Sequence, residues 1–211
     1  MKYICKIALT ATSLFLSAYA ASAGTNIETS FGFGLSDAKL AEYTYTDGST
    51  KTLIAGNGLG LAVNQTLTTL NSVDVIAGLG FQWGSIGDSS TSTLFYDGFT
   101  YFPLELNAKY HITKEIAVKG GISYLLFPMY MSQEGDQKAK FKGTSNLGYN
   151  VALHYDIGGV YFYGKYSANT VAYTELSDGD GNSADITGAV DDEIVNVFHL
   201  GVGINFDMFS K

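Results

Sequence analysis

The sequence predicts an all-β chain, eight antiparallel strands wound up and down into one closed membrane-spanning barrel. Three observations carry that prediction. Segments of about ten residues alternate large apolar with small or polar side chains, the period of a half-exposed strand. The connections between them alternate between long and short. The composition is 46% hydrophobic, 14% aromatic and only 15% charged, with 25 Gly and 2 Pro, which excludes disorder and collagen-like structure. At 211 residues the chain holds one domain.

The first segment, 26–35, places Ile27, Phe31, Phe33 and Leu35 on one face and Glu28, Ser30, Gly32 and Gly34 on the other. In the second, 53–64, Leu53, Ala55, Leu59, Leu61 and Val63 oppose Gly56, Gly58, Gly60 and Asn64, with Ile54 and Asn57 as exceptions. The third sets Val73, Val75, Leu79, Phe81 and Trp83 against Asp74, Gly78, Gly80 and Gln82. The fourth is the cleanest, with Phe102, Leu104, Leu106, Ala108 and Tyr110 against Pro103, Glu105, Asn107 and Lys109. The fifth, 116–127, sets Ile116, Val118, Ile122, Tyr124 and Leu126 against Ala117, Lys119, Gly121 and Ser123. The sixth opposes Leu147, Tyr149, Val151, Leu153 and Tyr155 to Gly148, Asn150, Ala152, His154 and Asp156. Val160, Phe162 and Tyr166 face away from Tyr161, Tyr163, Lys165 and Ser167 in the seventh. The last sets Phe198, Leu200, Val202, Ile204 and Phe206 against His199, Gly201, Gly203 and Asn205.

Long connections are expected at 36–52, 84–100, 128–146 and 169–192, and shorter ones at 65–72, 111–115 and 157–159. Short turns at one end and long loops at the other are the pattern of an outer-membrane barrel, with turns periplasmic and loops extracellular. Lipid cannot satisfy a backbone amide, so a spanning sheet must close on itself, and ~9 to 11 tilted residues suffice to cross. A soluble lipocalin-like barrel would carry its bulk inside. Here one face carries most of the Gly with Glu105, Lys109, Lys119 and Lys165, which suits a narrow lumen. On the outer face, Tyr110, Tyr155 and Phe206 are expected at the periplasmic membrane interface, and Trp83, Phe102, Tyr124 and Tyr166 at the outer one.

Residues 1–23 read as a signal peptide: Lys2 and Lys6, an apolar run from Ile7 to Tyr19, then Ala21, Ser22 and Ala23 before the cleavage point at Gly24. The barrel domain is then 24–211. The only cysteine, Cys5, falls in the leader, so neither a disulfide nor a lipid anchor is supported. Removing Lys2 and Lys6 leaves 10 basic against 20 acidic residues, a net charge near −10. With no arginine anywhere, nucleic acid is not an expected partner.

With these segments in place, the stretch 26–206 resembles the small eight-stranded outer-membrane barrels of Gram-negative bacteria, the group of opacity-type and attachment-type surface proteins. The most specific element is the last strand. There His199, Gly201, Ile204 and Phe206 are similar to the signal read by the barrel-assembly machinery, although Asp207 to Lys211 follow the aromatic residue. The resemblance implies a location in the cell outer membrane and lipid and the assembly machinery as partners. It implies no single activity.

Several constellations could carry chemistry. Folding the strands about their turns is expected to bring Asp74 near Lys109 and Glu105 near Lys119, with Lys165 completing a lumen charge network that fills the interior. A gated, porin-like pore for small solutes is the alternative. A lipid-modifying enzyme would need a nucleophile and base near the outer leaflet, and His111, His154 and His199 sit in a turn or in the lumen, so no catalytic residue and no cofactor are assigned. Asp178, Asp180 and Asn182 have the spacing of the first ligands of a calcium loop, but Ser183 and Ala189 stand where Gly and Glu are needed, leaving a weak Ca²⁺ candidate in an acidic loop. Tyr43, Tyr45, Phe95, Tyr96, Met129, Tyr130, Met131 and Tyr173 in the long connections either mark a contact surface for a ligand, or continue the sheet above the membrane or pack on each other. The expectation is a monomeric, non-enzymatic barrel with a structural or surface-interaction role.

Overall fold

The computed structural model describes residues 24–35, 39–44, 50–88, 98–134, 137–178, 180–189 and 191–206. The expected leader, 1–23, lies outside the described residues, as do Tyr45, Phe95 and Tyr96. The strands are β1 Thr25–Gly34, β2 Lys39–Thr44, β3 Thr50–Leu70, β4 Val73–Asp88, β5 Gly98–His111, β6 Ile116–Glu134, β7 Gln137–Ser145, β8 Gly148–Ile157, β9 Val160–Asp178, β10 Ser183–Asp185 and β11 Glu193–Asn205. Eight of them close a ring of antiparallel neighbours, β1–β3–β4–β5–β6–β8–β9–β11 and back to β1. The remaining three extend the wall at one end: β2 on β3, β7 between β6 and β9, and β10 on β9. The eight-stranded up-and-down barrel expected from the alternation is the fold.

Local chemistry sets the tight end. Gly158 and Gly159 have φ of 65° and 94°, the left-handed pair required by a two-residue turn that matches strand twist. Asn71, at φ 57°, turns β3 into β4. Between β5 and β6 the Thr113 hydroxyl accepts the amides of Glu115 and Ile116, at 3.1 and 3.0 Å.

The connections differ from expectation. β3 runs for 21 residues, and β6 and β9 for 19 each, so much of 36–52, 128–146 and 169–192 is paired strand. Only 135–136 separate β6 from β7, and β3 reaches Leu70 before turning to Val73. The reason is backbone satisfaction: once outside lipid a strand still gains by pairing with its neighbour, and β-branched residues such as Thr66, Thr68 and Thr69 favour it.

The two faces are inverted relative to a soluble domain. Leu59, Leu61, Leu104, Leu106, Ile122, Val151, Leu153 and Leu200 point outward and are exposed, whereas Glu28, Asn64, Asn107, Lys119, Asn150, His154, Lys165 and His199 are buried inside. An exposed apolar belt around a polar interior is stable only where lipid covers the belt.

One irregularity decides what the lumen contains. Thr100 pairs with Met129 and Phe102 with Leu126, so Phe127 and Pro128 together oppose Tyr101 in a bulge. Phe127 takes φ 51° and is 77% exposed. Below it odd-numbered residues face inward, among them Lys119, Ser123 and Leu125; above it the alternation is reset and Tyr130 is fully buried. Without the extra residue Tyr130 would point at lipid.

Candidate functional site

The lower and middle lumen is built on side chains that reach across it from opposite walls. Lys119 Nζ on β6 donates to Glu28 Oε1 on β1 at 2.9 Å, and both side chains are almost wholly buried. Lys165 Nζ on β9 donates to Glu105 Oε1 on β5, also at 2.9 Å. The other Glu105 oxygen accepts the Asn107 amide at 3.1 Å. The Tyr161 hydroxyl lies 2.9 Å from Glu28 Oε1 and 2.8 Å from Asn26 Oδ1, and Asn64 donates to that same Asn26 oxygen.

Asp74 lies in register with Lys109, as expected, whereas the expected Glu105–Lys119 pair gives way to Glu105–Lys165 and Glu28–Lys119. The 112–115 turn fixes a register in which Lys109 faces Lys119 and Glu105 faces Ser123, so Glu105 does not meet Lys119. Asp74 is the register partner of Lys109, yet its carboxylate accepts from Thr69 and meets His111 Nε2, both at 2.7 Å. Lys109 instead lies over the Tyr161 ring, 5.3 Å from its centroid. In a lumen this narrow a long side chain reaches the opposite wall, so partners are set across the barrel as well as along a hairpin. Glu28 is absent from the charge network expected from sequence, although it shares the inward face of Ser30 and Gly32; that shared face is the available signal.

Glycine makes room for this packing. A Cβ on Gly201 would collide with the Tyr163 ring, and one on Gly203 with the Tyr161 ring. Gly60 is likewise covered by Gln82, and Gly148 by Asn169, which reaches over it to bond Ser123 at 3.0 Å. The inward glycines of one strand are therefore sockets for the long side chains of the next.

Toward the long-loop end the lumen becomes apolar. Phe99, Tyr101, Leu125, Tyr130, Phe141, Val171, Tyr173, Val195 and Val197 form one buried cluster, with Ala139, Leu176 and Ile186 against it. Tyr130 stacks on Phe141 with centroids 5.0 Å apart, and Phe141 meets Tyr173 edge-on at 5.9 Å. Tyr130 and Tyr173 are thus interior packing and offer nothing to a surface partner, while Met129 and Met131 lie on β6 and Tyr43 on β2. Two small pockets among the described residues, one by Glu28, Glu105 and Lys165 and one by Phe99, Tyr101 and His199, each have room for about one water molecule.

Two arrangements bear on catalysis and metal binding. Ser167 Oγ lies 3.5 Å from His199 Nε2, a long contact, and it also donates to the Val197 carbonyl. His199 Nδ1 has no hydrogen-bond partner among the described residues, so nothing orients the ring as a base. In the acidic loop, Asp178 accepts the amides of Asp180 and Asn182 at 3.0 and 2.8 Å and the Asn182 side-chain amide at 2.8 Å. That carboxylate closes a turn, and its pKa is lowered chiefly by the Asn182 side chain. No group of three metal-ligating side chains occurs among the described residues.

Of the remaining residues singled out in the sequence, Tyr110 and Tyr155 are exposed on the outer wall near the tight turns. Trp83, Phe102, Tyr124 and Tyr166 are half-buried in positions that alternate with inward ones; Phe102 touches Phe81 at 5.4 Å and Tyr166 touches Tyr149 at 6.0 Å. In the last strand His199 and Gly201 face the lumen and Ile204 is exposed, with Phe206 just beyond the strand.

No family's sequence profile matches the chain, and no curated protein sequence does. Solved structures with a similar course of chain are outer-membrane proteins. A major outer membrane protein from Thermus thermophilus is 17% identical, with a TM-score of 0.46, over 85% of this chain and 98% of its own. The outer membrane protease OmpT from Escherichia coli is 12% identical, with a TM-score of 0.42, over 87% and 94%. The outer membrane protein AlkL in lipid bilayers is 15% identical, with a TM-score of 0.42, over 88% and 90%. Likeness at this level transfers no reaction and no cargo, and the chain is described by its own geometry as an eight-stranded antiparallel barrel with an apolar exterior and a filled lumen.

Proposed function

We propose that this protein is an integral barrel of the Gram-negative outer membrane whose lumen is sealed. It acts, without catalysis, through what its walls present outside the membrane. The observation that carries this reading is the series of two closures, the Glu28–Lys119 and Glu105–Lys165 pairs below and the Phe99 to Val197 cluster above. A lumen so filled gives the barrel stiffness and leaves the strand extensions and the 180–189 loop as its working surface. Signal-peptide export, assembly through the last-strand signal and anchoring by Trp83, Phe102, Tyr110, Tyr124, Tyr155 and Tyr166 belong to the same reading.

Planar-bilayer recording tests it. Folded wild-type protein should give no conductance steps, whereas Phe99→Ala with Tyr130→Ala should admit ions into the upper lumen. Regular steps from the wild type would favour the narrow-pore reading. An epitope inserted after Gly181 should stain on intact cells, since Asp180 to Asp185 are exposed at the long-loop end; staining only after permeabilisation would refute the orientation.

A further inference from the structure

We propose that the outward face of β7, with Lys140 and Lys142 at its centre, binds the phosphate-bearing headgroup of a lipid in the outer leaflet. The inference rests on the membrane orientation given above and adds what one stave of the wall holds there. β7 and β8 form a single stave, since both run antiparallel to β6 on one side and to β9 on the other. Its outward face is apolar from Tyr155 through Leu153, Val151 and Tyr149 to Leu147, each at least 48% exposed. The chemistry then changes abruptly: Thr144 and Lys142 are exposed, Lys140 is half-buried, and Lys138 is the next position of the row, opposite Gln133. Phe141 between them is buried in the upper cluster, so strand alternation directs Lys140 and Lys142 away from the lumen. The β7 sequence, QKAKFKGTS, has lysine at every second position over this stretch and no acid, in a chain of net charge −8.

The height of the row matches that of a headgroup. Lys142 is in register with Met129 on β6, and the run from Val118 to Met129 rises ~28 Å at ~3.3 Å per residue and ~40° of tilt, just past an apolar band ~25 Å tall. The wall itself leaves these cations available. Lys142 pairs with Glu175 on β9, but the two side chains are 47% and 37% exposed, so the contact is shared with solvent and contributes little. Lys140 has no carboxylate within ion-pairing distance among the described residues; Met131 on β6 and Ser177 on β9 stand across from it, and the Ser177 hydroxyl donates to the Lys140 carbonyl. The other acids nearby are placed elsewhere: Glu134 is in the alternate row with Gln137, Asp185 lies beyond Glu175 and accepts the Thr187 amide, and Asp178 closes its own turn. An acidic barrel meets anionic headgroups at a cost, and a basic row at their level offsets it. The ligand class follows from the donors, ammonium groups on long stems above an apolar face, which suit a phosphate joined to acyl chains.

The test uses the refolded full chain in phosphatidylcholine nanodiscs doped with lipid A or with the same lipid stripped of its phosphates, and native mass spectrometry measures the lipid retained by each barrel. A lysine near an anionic lipid surface is worth about fivefold, so with Lys142 shared with Glu175 the phosphorylated lipid should be retained about tenfold more tightly. Lys140→Gln with Lys142→Gln should bring that preference close to unity, and Lys140→Arg with Lys142→Arg should keep it. Lys114→Gln, on an exposed turn at the opposite end, should leave it unchanged. Heat-modifiability checks that each variant closes its barrel, and Lys140→Gln alone, expected to lose about fivefold, serves if the double variant does not. Equal retention of the two lipids, or a preference that survives the loss of both lysines, would overturn the proposal. So would a preference abolished by an equimolar amount of inorganic phosphate, which would mark a site for the free ion. A nanodisc offers headgroups at both faces, so these results do not depend on which end of the barrel lies outside the cell, and the epitope after Gly181 decides that separately.

Discussion

Removing one member of the Glu28–Lys119 pair should cost far more than removing both. Lys119→Met preserves most of the stem's volume but leaves Glu28, only 2% exposed, without its cation. Breaking a buried pair in this way costs about 3 to 5 kcal/mol. Glu28 keeps the Tyr161 hydroxyl at 2.9 Å, so the lower end, about 3 kcal/mol, is expected. Glu28→Gln with Lys119→Met removes both charges and should fall within about 1 kcal/mol of wild type, because the desolvation cost goes with them. The assay is reversible urea unfolding in lipid vesicles, followed by the fluorescence of the single tryptophan, Trp83, and analysed as a double-mutant cycle. A single-variant loss below about 1 kcal/mol, or a double variant no more stable than Lys119→Met, would refute the argument that the pair is dry and mutually dependent.

Other perturbations test separate parts of the account. Gly203→Ala should lose about 1 to 3 kcal/mol by driving a methyl into the Tyr161 ring, while Gly120→Ala, whose added carbon would have its nearest neighbour at 3.6 Å, should be near neutral in the same unfolding assay. Tyr173→Phe should be neutral or stabilising, because the Tyr173 hydroxyl is buried with no partner among the described residues; a loss above about 1 kcal/mol would reveal one. The carboxyls of Asp178 and Asp185 are held below the ordinary aspartate range, by the Asn182 side chain and by Thr187 respectively. Their folded-state values are depressed, so what they contribute to loop order is present at neutral pH and is lost as pH falls below about 4. Carboxyl-carbon NMR titration should place both midpoints below that of a model aspartate, and a midpoint at or above about 3.9 would contradict the turn geometry.

Strand existence and facing are legible in the sequence because period-2 alternation is a strong signal when one face meets lipid and the other a crowded interior. The 102–110 segment falls within a few residues of β5, and Gly158–Gly159 is visible as a turn. The outer wall is not legible, since strand paired outside lipid no longer needs a uniformly apolar face; Thr50, Gln137 and Ser177 carry no alternation that separates them from loop. The interior partners are hidden for a different reason. Glu28 and Lys119 are 91 residues apart, and only barrel closure brings them together. The Phe127–Pro128 bulge adds a single residue, leaves no mark on composition, and yet it decides that Tyr130 packs against Phe141 instead of facing lipid.

The central claim is a closed barrel with its apolar face in the outer membrane, and heat-modifiability of the fractionated protein tests it most directly. Expressed with its own 1–23 segment, the unboiled protein should be found in the outer-membrane fraction and migrate differently in detergent electrophoresis from the boiled sample. Recovery from the soluble periplasm, with no mobility shift, would contradict the claim and require the exposed leucines of β3, β5 and β8 to be covered by something other than lipid.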